Sequence, residues 1–203
     1  MATDAELDRL VATYQRALSR LAAGNESSIE SSWKLLDSLD PASVDGWLAR
    51  TAETTGSARR AAADLASRFF DRYVAVATGA AQLDPLDIET AVARVRGGAS
   101  ASELWAEPIR RARMLAALDD IDAALNGTAA EVGQLADQDV TLAAREGTVA
   151  ANQRHGIERF RRHPEPGACS FCLTAASNRY HSPGLRPIHA HCHCVTVPDL
   201  SER

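Results

Sequence analysis

The stretch Arg154–Cys172, RHGIERFRRHPEPGACSFC, is where this sequence changes character. Upstream of it, alanine, leucine, arginine and glutamate recur at helical spacing; from Gly156 onward proline, glycine, histidine and cysteine rise. Alanine is the best helix former and those other residues follow closely, so the upstream region leans strongly to helix. His163–Gly167, HPEPG, and His181–Pro187, HSPGLRP, are turn chemistry. Cys194–Val197, CVTV, is rich in β-branched residues and reads as a short strand stopped by Pro198. The expectation is a mainly α chain, with a multi-helix N-terminal body over residues 1–153 and a small α+β module with short strands over residues 154–203.

Working back from that boundary, start and stop signals divide the body. Thr3 and Glu6 form a capping box, and Leu7, Leu10, Val11, Tyr14, Leu18 and Leu21 follow at helical spacing until Gly24-Asn25. A separate short helix fits Ser28–Leu39, and Asp40-Pro41 is an N-cap and N1 pair for another. Gly56 is a candidate interruption of that helix and Gly79 its end. Asp84-Pro85 repeats the start signal, with Gly97-Gly98 as the stop. Pro108 starts or kinks a helix whose face is Leu115, Leu118, Ile121 and Leu125, closed by Asn126-Gly127. Thr128 with Glu131 reads as a further capping box. The scarce large side chains Trp33, Trp47, Trp105, Phe69 and Phe70 are core candidates first and partner anchors second.

Composition sets limits on function. A hydrophobic fraction of 45% in 203 residues is enough for a real core and argues against disorder. A formal net charge of -5 argues against a nucleic-acid polycation. Positive charge does gather locally at Arg154, Arg159, Arg161 and Arg162, which makes those arginines a candidate contact for DNA phosphates. No stretch is apolar for long enough to span a membrane, and the start MATDAELDRL has acids where a secretory leader has bases. The expectation is a protein made in the cytosol, where clustered thiols read as metal ligands before disulfides.

All four cysteines lie downstream of the boundary, in CSFC (Cys169–Cys172) and PIHAHCHC (Pro187–Cys194). A Cys-x2-Cys turn presents two sulfurs to one ion, and Zn2+ asks for four thiolate or imidazole ligands in a tetrahedron. Cys169 and Cys172 supply one half; His189 and Cys192 supply the other. In an extended Cys192-His193-Cys194 the two cysteines project to the same side, so Cys194 competes with His189 as fourth ligand. The module is therefore expected to be zinc-stabilised. His163, His181, His191 and His193 read as surface histidines. A zinc deaminase needs His-x-Glu before Pro-Cys-x-x-Cys; here His155 and Glu158 stand at His-x-x-Glu and PGACSFC carries an insertion. No Gly-x-Ser-x-Gly, Walker or Gly-x-Gly-x-x-Gly motif is present.

The run Gly167–Leu200, GACSFCLTAASNRYHSPGLRPIHAHCHCVTVPDL, resembles the C-terminal region of phage Mu F-like minor capsid proteins, also called phage head morphogenesis proteins. The matching positions are Cys169, Cys172, Pro187, Ile188, His189, Cys192, Cys194 and Pro198; Asn178–Tyr180 looks like versions from phages of actinobacteria. The resemblance implies a low-copy structural virion protein, not an enzyme, associated with portal or capsid proteins in the capsid interior and assembled in the host cytoplasm. Some relatives carry a fused protease or toxin domain, and 203 residues leave room for neither. Three expectations follow: a docking protein for portal or inner capsid with a structural Zn2+, a zinc-stabilised module touching packaged DNA, or a zinc-dependent deaminase or hydrolase. No membrane partner is expected.

Overall fold

The computed structural model describes residues 3–185 and 194–200. Six α-helices stand in chain order among them: α1 (Asp4–Lys34), α2 (Pro41–Thr78), α3 (Glu89–Ala93), α4 (Ala101–Ala116), α5 (Ile121–His155) and α6 (Ser170–Ala176). The strands are β1 (Phe160–His163), β2 (Arg179–Tyr180) and β3 (Val195–Pro198). All three lie after Gly156, as the change in composition predicts. They form one antiparallel sheet in the order β2-β1-β3, with Phe160 opposite Tyr180 and Pro198, and His163 opposite Val195.

Several helix ends are the ones the sequence marks. The Thr3 amide donates to Glu6 Oε2 at 2.8 Å, and Asp40 caps α2 by accepting from the Ala42 and Ser43 amides at 2.8 and 3.1 Å. Hydrogen bonds from the Ser38 hydroxyl first, then from Ser43, hold the Asp40 carboxyl down to about 2. Gly79 and Gly156 close α2 and α5 in the left-handed conformation, with φ of 74° and 61°. A side chain there would be strained, and glycine is not.

Other signals are overridden. There is no break at Gly24-Asn25: α1 runs on to Lys34, so Ser28–Leu39 is not a separate helix. Asn25 is buried and its Nδ2 donates to the Ala136 carbonyl of α5 at 2.9 Å, a use of the residue that only tertiary structure can supply. Gly56 does not interrupt α2. Residues 79–88 have no regular structure, so Asp84-Pro85 starts no helix; the short α3 follows at Glu89. The face drawn through Leu115, Leu118, Ile121 and Leu125 is split between α4 and α5 by a turn. Asp120 caps α5 by accepting from the Ala123 amide at 2.7 Å. Asn126-Gly127 and Thr128 are inside that helix. Thr128 is no cap; its hydroxyl donates to the Ala124 carbonyl and accepts from the Trp33 indole, both at 3.0 Å. An interior glycine costs a helix only about 1 kcal/mol, less than packing a whole face returns.

Helix α5 is the axis, about 52 Å long for its 35 residues. Helices α1, α2 and α4 all pack on it. At one end Trp33, Trp47 and Trp105 meet edge to face, with ring centroids 4.8 and 5.6 Å apart. In the middle Tyr14 stacks on Phe69 at 4.1 Å, in a cluster shared with Val140 and with Val195 and Val197 of β3. Phe70, Val74, Ala151, Ile157 and Phe160 form a third cluster under β1. All five large aromatic candidates are therefore core residues. Asp139 of α5 is fully buried and bonded to Arg59 of α2 (Nε, 2.9 Å) and to Arg96 (Nε, 2.5 Å), which ties three segments together.

Of the glycines, Gly147 of α5 meets the closest neighbour, the backbone of Ala63 in α2. A methyl group there would lie 2.3 Å from the Ala63 carbonyl oxygen and 2.8 Å from its Cα. Gly147→Ala is expected to destabilise the protein by about 1–3 kcal/mol through overpacking. Gly24→Ala, where nothing lies within 4 Å, is expected to stabilise it by about 0.4–1 kcal/mol. Urea unfolding of the two variants beside the parent checks both signs.

Candidate metal centre

The chain leaves α5 in a controlled way. Asn152 Nδ2 donates to the Ile157 carbonyl at 3.0 Å while the Ile157 amide returns a bond to Asn152 Oδ1 at 3.1 Å. This double bond aims β1 back along the bundle, and α6 follows after the turn at Gly167. Cys169 is the residue before α6 and is exposed; Cys172 lies one turn later and is buried. The spacing of three thus puts both cysteines within one turn at the start of a short helix, the spacing of a Cys-x2-Cys half-site.

Cys194, just ahead of β3, is buried and packs with Cys172 in one small cluster beside Ala168. Three of the five sequence candidates are therefore described, and two of them touch. His189 and Cys192 lie outside the described residues, as do His191 and His193. Among the described residues no group of three or more His, Cys, Asp or Glu side chains is arranged to hold an ion. The donor chemistry still fits Zn2+: a buried thiol pair, with a third thiol one helical turn away, is a soft donor set.

What positions Cys194 was not visible as a motif. Arg145 of α5 is buried, and its guanidinium donates to the Leu185 carbonyl and, at 3.1 Å, to the Cys194 carbonyl. The helical axis thereby holds the backbone on which the cysteine sits. Gln15 of α1 does the same for β1, donating from Nε2 to the His163 carbonyl at 3.0 Å. Both helices carry many other polar residues, so nothing in the sequence singles out Arg145 or Gln15 for these contacts.

The four arginines proposed for DNA do not form one face. Arg154 donates to the Asp84 carbonyl at 2.8 Å and lies 3.8 Å from the Asp71 carboxylate. Arg161 is exposed, while Arg162 is buried with its guanidinium 5.6 Å from the Tyr180 ring centroid. Neighbouring residues on a strand point to opposite faces, which separates these two. Arg159 is half-buried. His155, half of the His-x-x-Glu pair, has its Nε2 2.8 Å from Asp71 Oδ1 at the end of α5.

His163 is partly buried, and burial pushes its imidazole below the ordinary value, against the opposing pull of the Asp8 carboxylate 3.9 Å away. The unfolded chain then binds a proton more readily than the folded one. The stability this contributes is complete above about pH 6.5 and lost as pH falls through the lower folded value. Urea unfolding of the parent and of His163→Gln across that range is expected to show a steeper acid-side loss in the parent.

No helix among the described residues is long and apolar enough to cross a membrane. No curated protein and no solved structure matches the chain. A family model does match, over residues 1–203, and its description is VG15 protein. The chain belongs to the VG15 protein family, and that membership suggests a phage-encoded protein.

Proposed function

We propose that this chain is a structural minor capsid, or head morphogenesis, protein of a tailed phage. It docks to portal or inner capsid subunits through its helical body, carries one structural Zn2+, and turns over no substrate. The observation that carries this reading is the packing of Cys172 against Cys194 in a buried cluster one turn from Cys169. It favours Cys194 as a ligand beside Cys169 and Cys172, with Cys192 or His189 completing the tetrahedron. A closed site of that kind contributes folding energy and leaves no position for a reacting water. The family match and the Mu F-like spacing of the cysteines support the phage assignment.

The docking surface is not made of the tryptophans, which are used in the core. The large apolar side chains left in solvent are better candidates, above all Leu35 and Leu118, 80% and 81% exposed, with Met114. The turn after α1 is tied to the end of α4 by Arg113 Nε, which donates to the Leu39 carbonyl at 3.0 Å, so these residues belong to one end of the bundle. Exposed Phe171 and Leu173 on α6 form a second apolar site.

Two measurements test the reading. Elemental analysis of protein purified under reducing conditions is expected to find about one Zn2+ per chain, lost in Cys172→Ser together with the order of the C-terminal sheet. Folded, soluble protein without metal rules the site out. In the parent phage, a knockout is expected to give defective heads, and the Leu35→Asp, Leu118→Asp pair to lower infectivity while the purified variant unfolds at the same urea concentration as the parent. Normal heads at full infectivity from the knockout refute the assembly role.

A further inference from the structure

A cleft of about 460 Å3 lies between the turn Val95–Gly98 and α5. Its wall carries Arg94, Arg96 and Arg145, and Glu146 is the one carboxylate among its described lining residues. The turn that presents the first two arginines is unusual. Arg96 has a φ of 52°, and Gly97 and Gly98 follow at 67° and 83°. Left-handed backbone is disfavoured for a residue with a side chain and persists where the surroundings hold it there. Here the holding contact is the Arg96 Nε bond to Asp139, 2.5 Å long, with Nη2 also donating to Gln138 Oε1 at 3.3 Å.

That contact leaves positive charge over. Asp139 is a single carboxylate shared by the guanidiniums of Arg59 and Arg96. The Nη1 group of Arg96 has no hydrogen-bond partner among the described residues, and neither does the exposed guanidinium of Arg94. Arg145 is occupied with the Leu185 and Cys194 carbonyls and adds charge to the wall behind them. The open guanidinium of Arg94 and the Nη1 group of Arg96, on one concave wall, suit an oxyanion that can accept N–H bonds from both. The volume exceeds what one small ion fills and falls in the range of ligand sites. Among the described residues no aromatic side chain lines it, so they offer nothing for a base to stack on.

We propose that this cleft binds a phosphoryl group, with Arg94 and Arg96 as the hydrogen-bonding donors and Arg145 as a supporting charge. The site shares Arg145 with the backbone that carries Cys194, but its donors Arg94 and Arg96 are not cysteine-cluster residues, and its test requires neither the metal nor the assembly role. The phosphoryl group could belong to a nucleic-acid backbone or to a small phosphate, and the experiment separates them.

The full chain is titrated calorimetrically at about 50 mM salt, where guanidinium–anion contacts are less screened than at physiological ionic strength, with inorganic pyrophosphate, with a short single-stranded DNA, and with an acidic peptide of matched charge. Pyrophosphate is expected to bind, and Arg94→Ala to weaken it about tenfold. Arg96→Gly, which accepts the left-handed backbone while removing the guanidinium, is expected to weaken it as much, and Arg20→Ala on exposed α1 to leave it unchanged. Tighter binding of the oligonucleotide with the same variant pattern identifies a nucleic-acid backbone as the source. Binding of the peptide in preference to both phosphate probes, no binding at all, or equal loss in Arg20→Ala overturns the proposal.

Discussion

The bundle depends on the contact between Gly147 of α5 and the backbone of Ala63 on α2. A single methyl group would not fit between them. Around this point both helices carry small buried residues: Ala62, Ala63 and Ala66 on one, Ala143, Ala144 and Ala151 on the other. Two long helices can then touch nearly backbone to backbone, which removes both surfaces from water with little loss of side-chain freedom. Elsewhere larger side chains make the core. Trp33, Trp47 and Trp105 fill one end, and Tyr14 stacked on Phe69 fills the side facing α1. The scarcity of aromatics in the sequence and the burial of the aromatics of the helical body are thus two views of one packing solution.

Buried polar side chains decide how the remaining parts register on this frame. Asn25, Asp139 and Arg145 all face inward, and each is bonded to a partner on a different element. A buried polar group that loses its partner is costly, so these bonds exclude sliding of the helices more sharply than the apolar contacts do. Arg145 has the widest reach. It connects the axis of the helical body to Leu185 and Cys194, so the placement of the cysteine cluster is set by a residue outside it. Val195 and Val197 of β3 also lie in the same apolar cluster as Val11 and Val140, so the sheet is seated on the helices.

Helix type, the capping of α1 and α2, the end at Gly79, and a sheet confined to the region after Gly156 were all legible in the sequence. Those features come from local chemistry: propensity, a capping oxygen within three residues, or a glycine where the backbone must turn left-handed. Gly24, Gly56 and Asn126-Gly127 carry the same kind of local signal, yet they lie inside continuous helices. Their penalties are small beside the burial of an entire helix face, so only the tertiary structure could decide against them. The Cys169-x2-Cys172 pair was legible for the same local reason as the caps. Its meeting with Cys194 was not, because that contact depends on a strand pairing with β1 and on a guanidinium from α5. The left-handed Arg96 and its cleft lie further still from the sequence. They depend on Asp139, buried by the packing of α5, which accepts from both Arg59 and Arg96.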